Sequence, residues 1–416
     1  MAITEQTSIP SVEGQGPPVG TLIRSFLLTD DSSPGIACQI ISLGATLTHL
    51  WVPDNKNGIR DVVLGFDDLT VYRTKHDPYF GASVGRTANR IAHGRFSLPG
   101  QPDVIYKLDL NNGPNSLHGG IDGFSFRNWH VEPLDKSSND KQGKGTSLTL
   151  NMTSEHMDQG FPGRLRVQCT YSLYNSSLEI AYKANLEGPE SQPSTIASLT
   201  NHAYFNLNGV PTPESANTIS TALVTNHVLK MSNIDSYLET DATSVPTGNV
   251  LPLDQVPAMD FRRPKTIEEH LKQTPGGGGG YDHFYPTQAA IDTPELYHLC
   301  NDVRRKALTA LIDVYSPDSG IHMSMASTEP GFQLYTANFL QLDPGQVDDV
   351  VDSHKNDMAR FPCVGKARGG YMPHSAFCLE TSRFPDAINH PNWKNQVILC
   401  KGETYEARTI YSFTTK

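Results

Sequence analysis

Leu165-Arg166-Val167-Gln168-Cys169-Thr170-Tyr171-Ser172-Leu173 alternates apolar and polar side chains without a break. After Asn175-Ser176-Ser177 the pattern returns through Leu178, Ile180, Tyr182, Ala184 and Leu186. Successive side chains of a strand point to opposite faces, so this stretch predicts a hairpin with one buried face. A second hairpin is expected from Leu308, Ala310, Ile312 and Val314, across Ser316-Pro317-Asp318-Ser319-Gly320, to Ile321–Ser327. Ile40 to Val52, Asp61 to Phe66, Val104 to Leu108 and Ser147 to Met152 also read as strands. Helical patterns are few and short: Asp67 to Arg73, Thr266 to Leu271 and Pro294 to Arg304. Many short strands punctuated by 34 glycines and 29 prolines predict an all-β fold, a large antiparallel β-sandwich or barrel.

The 416 residues carry a net charge of −11, which argues against a nucleic-acid or anionic-membrane partner, since phosphate binding needs a basic face. No apolar run approaches the ~20 residues a membrane helix needs. Cys38, Cys169, Cys300, Cys363, Cys378 and Cys400 are scattered without ligand spacing and read as buried thiols of a reducing compartment. Met1 to Gly20 lacks the basic and apolar regions of a signal peptide and is expected to be a loose tail, so the cytoplasm is the expected location. Residues 21–416 are expected to form one domain, with a glycine-run loop at Gly276 to Gly280 and a polar surface insertion over residues 341–371.

Five segments combine unusual side chains with turn formers. In Gly85-Arg86-Thr87-Ala88-Asn89-Arg90-Ile91, Asn89 and Arg90 suit either a basic surface turn or donors aimed into a cleft. Asn111 to Gly120 packs turn residues around His118, and Thr200-Asn201-His202-Ala203-Tyr204-Phe205 sets an imidazole among amides and aromatics. Gly280-Tyr281-Asp282-His283 delivers a carboxylate beside an imidazole, either on a ligand or in solvent. Glu380 ends an apolar run inside Phe377 to Asn389; desolvation there would raise its pKa toward that of a general base. His118, His202, Asp282 and Glu380 lack the HxH or HxxxH spacing common to metal sites, so no metal is expected.

Together the segments resemble the aldose 1-epimerase (galactose mutarotase) family. The resemblance rests on Gly85–Ala92, Asn115–Gly120, Thr200–Leu207, Tyr281–His283, Pro330–Thr336 and Leu379–Thr381, in family order from about residue 36 onward. It implies a galactose mutarotase-like sandwich that interconverts the α and β anomers of free hexoses such as D-galactose and D-glucose, without a cofactor. It also implies that Glu380 is the general base, His202 the general acid, and Asn89, Arg90, His118, Asp282 and Gln333 the binders of sugar hydroxyls. On that reading Glu380 is ionised and His202 protonated at rest, Tyr204, Phe205 or Tyr281 stacks on the sugar, and the protein works as a monomer or homodimer on a small-molecule sugar. A hexose-6-phosphate 1-epimerase and a non-catalytic carbohydrate-binding sandwich are the competing readings.

Overall fold

The computed structural model describes residues 2–10, 22–30, 35–69, 71–73, 78–133, 145–189, 192–210, 223–276, 279–299, 307–340, 366 and 371–416. Its largest element is a nine-stranded antiparallel sheet. At the centre, Arg164–Tyr174 pairs with Ser177–Glu187 from Arg164↔Glu187 to Tyr174↔Ser177. This is the hairpin the alternation predicts. Leu165, Val167, Cys169, Tyr171 and Leu173 are all buried on one face. The turn is made by Asn175 (φ 49°) and Ser176 (φ 55°), two left-handed residues whose twist matches that of the flanking strands. Thr404–Thr415, Ile321–Ser327, Thr309–Tyr315, Val228–Met231 and Lys265–Thr266 follow on one side, Thr146–Ser154 and His130–Val131 on the other.

A five-stranded sheet (Ala2–Pro10, Leu22–Thr29, Ala37–Ile41, Thr46–Pro53, Ile59–Asp61) and a four-stranded sheet (Tyr204–Phe205, Phe377–Thr381, Gly331–Tyr335, Asp282–Pro286) complete the layers. One apolar cluster joins all three: Phe26 and Leu50 from the five strands, Tyr171 and Tyr411 from the nine, Phe332, Phe377 and Leu379 from the four. Each buried side chain of this size contributes about 1.5–3 kcal/mol, so the fold is held chiefly by apolar contact between layers.

Several local expectations are corrected. The run Ile40 to Val52 is two paired strands, because Gly44 (φ 65°) and Ala45 (φ 43°) turn the chain. A Cβ on Gly44 would strike the carbonyl of Ser125. Ala2–Pro10 is a strand rather than a tail: it pairs with Leu22–Thr29, and Arg24 grips Glu5 through two 2.8 Å bonds. Residues 11–20 lie outside the described residues. The expected helices are 3-10 turns at Val71–Arg73, Glu268–Gln273 and Pro294–Tyr297, and residues 300–304 are not described. A short α-helix not foreseen, Gln288–Asp292, is capped by Thr287 Oγ1 accepting from the Ala290 amide. Among the described residues no helix is long and apolar enough to cross a membrane.

The expected insertion over residues 341–371 lies outside the described residues except at Lys366 and Tyr371, and both of these are buried rather than exposed. Lys366 Nζ donates to Asp61 Oδ2 at 2.6 Å and to the Val63 carbonyl at 2.8 Å. Tyr371 Oη donates to the Gly65 carbonyl at 2.8 Å and accepts from the Lys366 amide at 3.1 Å. Burial lowers the Lys366 pKa and raises that of Asp61, each opposed by the partner's charge. Removing one member of such a pair leaves the other unpaired in the interior. Lys366→Met is therefore expected to cost about 3–5 kcal/mol in denaturant unfolding; an unchanged midpoint would mean the pair is not closed in solution.

Candidate active site

The four-stranded sheet builds the floor of the site through strand periodicity. Glu380 pairs with Gln333, and Gln333 with Phe284. Cys378 pairs with both Tyr204 and Tyr335, and Tyr335 with Asp282. Cross-strand partners share a face and alternate residues return to it. Hence Tyr204, Glu380, Gln333, Tyr335 and Asp282 lie on one face, while Phe205, Phe377, Leu379, Phe332, Leu334 and Tyr285 fill the core on the other.

His202 sits between the short strands Thr200–Asn201 and Tyr204–Phe205, held by its amide to the Ala82 carbonyl and by the Gly81 amide to its own carbonyl, both at 2.9 Å. Its Nε2 lies 3.5 Å from Glu380 Oε1, and both side chains are only 6% exposed. His118 meets the His202 ring edge to face at 5.3 Å. His118 (φ 53°), Gly119 (φ 86°) and Gly120 (φ 99°) form a left-handed run, and a Cβ on Gly119 would collide with the Gly85 carbonyl. That turn lets His118 Nδ1 accept from the Asn89 amide at 3.2 Å. In the neutral ring the hydrogen must then lie on Nε2, so His118 offers an N–H donor to the site.

The remaining expected residues form one row. Arg90 Nε donates to Asn112 Oδ1 at 2.9 Å, and the Arg90 amide to Asn89 Oδ1 at 2.9 Å. Asn89 Nδ2 donates to Gln333 Oε1 at 3.2 Å, and Gln333 Nε2 to Asp282 Oδ1 at 2.7 Å. The fold thus brings Asn89, Arg90, His118, His202, Asp282, Gln333 and Glu380 together from six separate stretches of chain.

Charge states follow from burial. Glu380 is pushed up to about 8, first by desolvation and then by the Asp282 charge, with Arg90 opposing. His202 is pushed down to about 4 by desolvation. His118 is held well below the ordinary imidazole value by burial and by the charges of His202 and Arg90. Both shifts favour the uncharged forms, a protonated Glu380 beside a neutral His202, against the expectation of an ionised glutamate beside a protonated histidine. Burial penalises the charged form of each group, and at Glu380 the Arg90 charge offsets this only in part.

His118, His202 and Glu380 bring their ligand atoms within 4.8 Å of one another, a cluster that sequence spacing did not reveal because its members are far apart in the chain. With Nδ1 occupied and hydrogen on Nε2, however, neutral His118 presents no free lone pair. The donor set suits proton transfer better than cation binding.

Of the aromatic candidates, Tyr204 stacks on the His202 ring at 5.0 Å and 18°. Phe205 packs in the core, as does Tyr281, whose hydroxyl donates to the Ala258 carbonyl, so both rings are taken up by core packing. Sequence reasoning missed three contributors. Tyr79 lies against both histidines; Asn112 anchors Arg90; and Asp386 binds the strand of Arg90 through its amide and carboxylate. Asn112 and Asp386 fall inside stretches already marked by turn formers. Tyr79 carries no signal beyond its place between Pro78 and Gly81.

The chain is similar to known proteins in sequence and in fold. Residues 27–412 match the family model described as aldose 1-epimerase. The chain is 34% identical to the galactose mutarotases of Sus scrofa and Homo sapiens, in each case over 97% of this chain and 98% of the other. It is 28% identical to the aldose 1-epimerase of Escherichia coli K12, over 93% of this chain and 94% of that one. The crystal structure of an aldose epimerase homologue from C. elegans superposes with a TM-score of 0.72 at 25% identity, covering 94% of this chain and 99% of the other.

Proposed function

The chain belongs to the aldose 1-epimerase family, and from that premise we propose that Glu380 and His202 are the proton-transfer pair with which it interconverts hexose anomers. It is an isomerase with aldose 1-epimerase activity on hexoses. Free D-galactose and D-glucose are the substrates we propose.

The observation that carries the reading is a buried carboxyl and a buried imidazole 3.5 Å apart, the first with its pKa raised and the second with its pKa lowered by desolvation; on our reading the pair holds a single proton. The reactive form of the pair is its minor tautomer, with that proton on His202 and the Glu380 carboxylate ionised. Carboxylate Glu380 then removes the proton of the anomeric hydroxyl while imidazolium His202 protonates the ring oxygen, and the C1–O5 bond breaks as C1–O1 becomes a carbonyl. Rotation about C1–C2 presents the other face of the aldehyde. Closure returns both protons, and the overall proton count never changes. The state with protonated Glu380 and neutral His202, which burial favours, is the one that accompanies the open aldehyde. Asn89, Arg90, His118, Gln333 and Asp282 would hold the hydroxyls, with His118 supplying an N–H donor and Asp282 an acceptor.

We further propose that the chain acts as one domain that includes the strand Ala2–Pro10, which the core shared by the three sheets supports. For a reducing, cytoplasmic setting the support is that Cys38, Cys169 and Cys378 are buried thiols.

The test is polarimetry of freshly dissolved α-D-galactose, α-D-glucose and α-D-glucose 6-phosphate with and without the protein. Accelerated decay with the free sugars, to the same final rotation, is expected. Acceleration with the phosphorylated sugar alone would replace the substrate class. Sugar binding with no acceleration would leave a binding module.

A further inference from the structure

Building on the assignment of His202 as the acid, we infer that Tyr79 is a positioning residue whose ring face stabilises protonated His202 and so governs how much of the shared proton is available to the sugar's ring oxygen. The Tyr79 ring lies 6.0 Å from that of His202 and is inclined to it by 24°, while Tyr204 lies at 5.0 Å and 18°. Two near-parallel phenol rings thus lie beside the acid. Tyr79 also meets the His118 ring at 4.9 Å and Phe126 at 5.5 Å. It is 7% exposed and has φ 55°, a left-handed backbone uncommon for an aromatic residue, which the packing around it must enforce.

Among the described residues, the titratable groups around His202 are the Glu380 carboxyl, the His118 ring, Tyr204 and Tyr79. Protonated His202 is repelled by any positive charge on His118, and its attraction to Glu380 vanishes when that carboxylate takes up the anomeric proton. The negative faces of the phenol rings act throughout the step, because an aromatic quadrupole attracts a cation within about 6 Å of the ring centre.

Let the ring strengthen protonation of His202 by a factor α, about 3 to 30 for a desolvated contact of this kind. Replacing it with an aliphatic side chain lowers the reactive tautomer of the one-proton pair α-fold, so plateau kcat falls α-fold. The second proton of the pair, which also goes to His202, binds α-fold more weakly. The acidic limb of the kcat–pH profile therefore moves to lower pH by log α, and the basic limb, set by Glu380, stays in place. Water entering a packing defect would do the opposite, since rehydration raises the histidine pKa and moves the acidic limb up.

The experiment measures kcat, KM and the pH profile with α-D-galactose for wild type, Tyr79→Phe, Tyr79→Leu and His202→Asn. Tyr79→Phe is expected to keep kcat within about threefold, because the ring remains. Tyr79→Leu is expected to lose roughly 3- to 30-fold in kcat with KM within about twofold, and to show the downward acidic shift. Wild-type kcat in Tyr79→Leu, or an acidic limb that moves up, overturns the inference. If His202→Asn is also fully active, the assignment of the acid has failed instead. If Tyr79→Leu does not fold, phenylalanines bearing increasing numbers of ring fluorines at position 79 keep the shape and weaken the ring face. A stepwise fall in kcat along that series supports the inference, and a flat series overturns it.

Discussion

Glu380→Gln is expected to lower kcat for anomer exchange by about 10²- to 10⁴-fold, the range general acid–base catalysis usually contributes. The amide has the shape of the carboxyl and, like the resting carboxyl at neutral pH, is uncharged. The fold should therefore be indifferent to the change, and the thermal midpoint should move little. What the amide cannot do is accept the anomeric proton. KM should change far less than kcat, because Asn89, Arg90, Gln333 and Asp282 remain to hold the hydroxyls. Polarimetry beside a thermal melt reads both quantities. Near-wild-type turnover in a folded Glu380→Gln enzyme would remove Glu380 from the reaction.

His202→Asn is expected to cost a similar factor, about 10²- to 10⁴-fold in kcat, for the complementary reason. Asparagine can donate a hydrogen bond to the ring oxygen but cannot release a proton to it, so the departing alkoxide is not neutralised. Because the two groups share one proton, their losses should not add. The double variant Glu380→Gln/His202→Asn is expected to be scarcely worse than the poorer single variant, as happens when residues act as a unit. Full additivity of the two effects would show instead that the groups work independently.

What could be read from the sequence followed periodicity. The 165–186 hairpin was legible because one face is buried along its whole length, and its pairing runs without a bulge. Glu380, Gln333 and Asp282 stand on one face of the site sheet for the same period-two reason, although register is fixed only by pairing. The strand Ala2–Pro10 was not legible, since the chain there is largely polar and leads into a glycine- and proline-rich stretch. The buried anchors Lys366 and Tyr371 were hidden in polar sequence. Their partners Asp61 and Gly65 lie some three hundred residues earlier in the chain. Asn89, His118 and Tyr79 depend on left-handed backbone at single residues, which leaves no repeating pattern. The location of the proton could not be read either. A glutamate and a histidine side by side suggest an ion pair, and only their burial, which raises the carboxyl's pKa and lowers the imidazole's, favours the proton on the carboxyl.

The central claim, that one proton shared by Glu380 and His202 drives anomer exchange, is tested most directly by the pH dependence of kcat/KM for α-D-galactose, with the buffer-catalysed rate subtracted. The limbs report macroscopic values of the pair in the free enzyme. Above about 8 the pair loses its only proton and with it the acid; below about 4 it gains a second and loses the base. A plateau between those limits, falling on both sides, is the predicted result. Activity that rises through an ordinary carboxylate pKa and stays level past pH 9 would contradict it, because Glu380 would then work as an exposed, fully ionised base with no need of a shared proton.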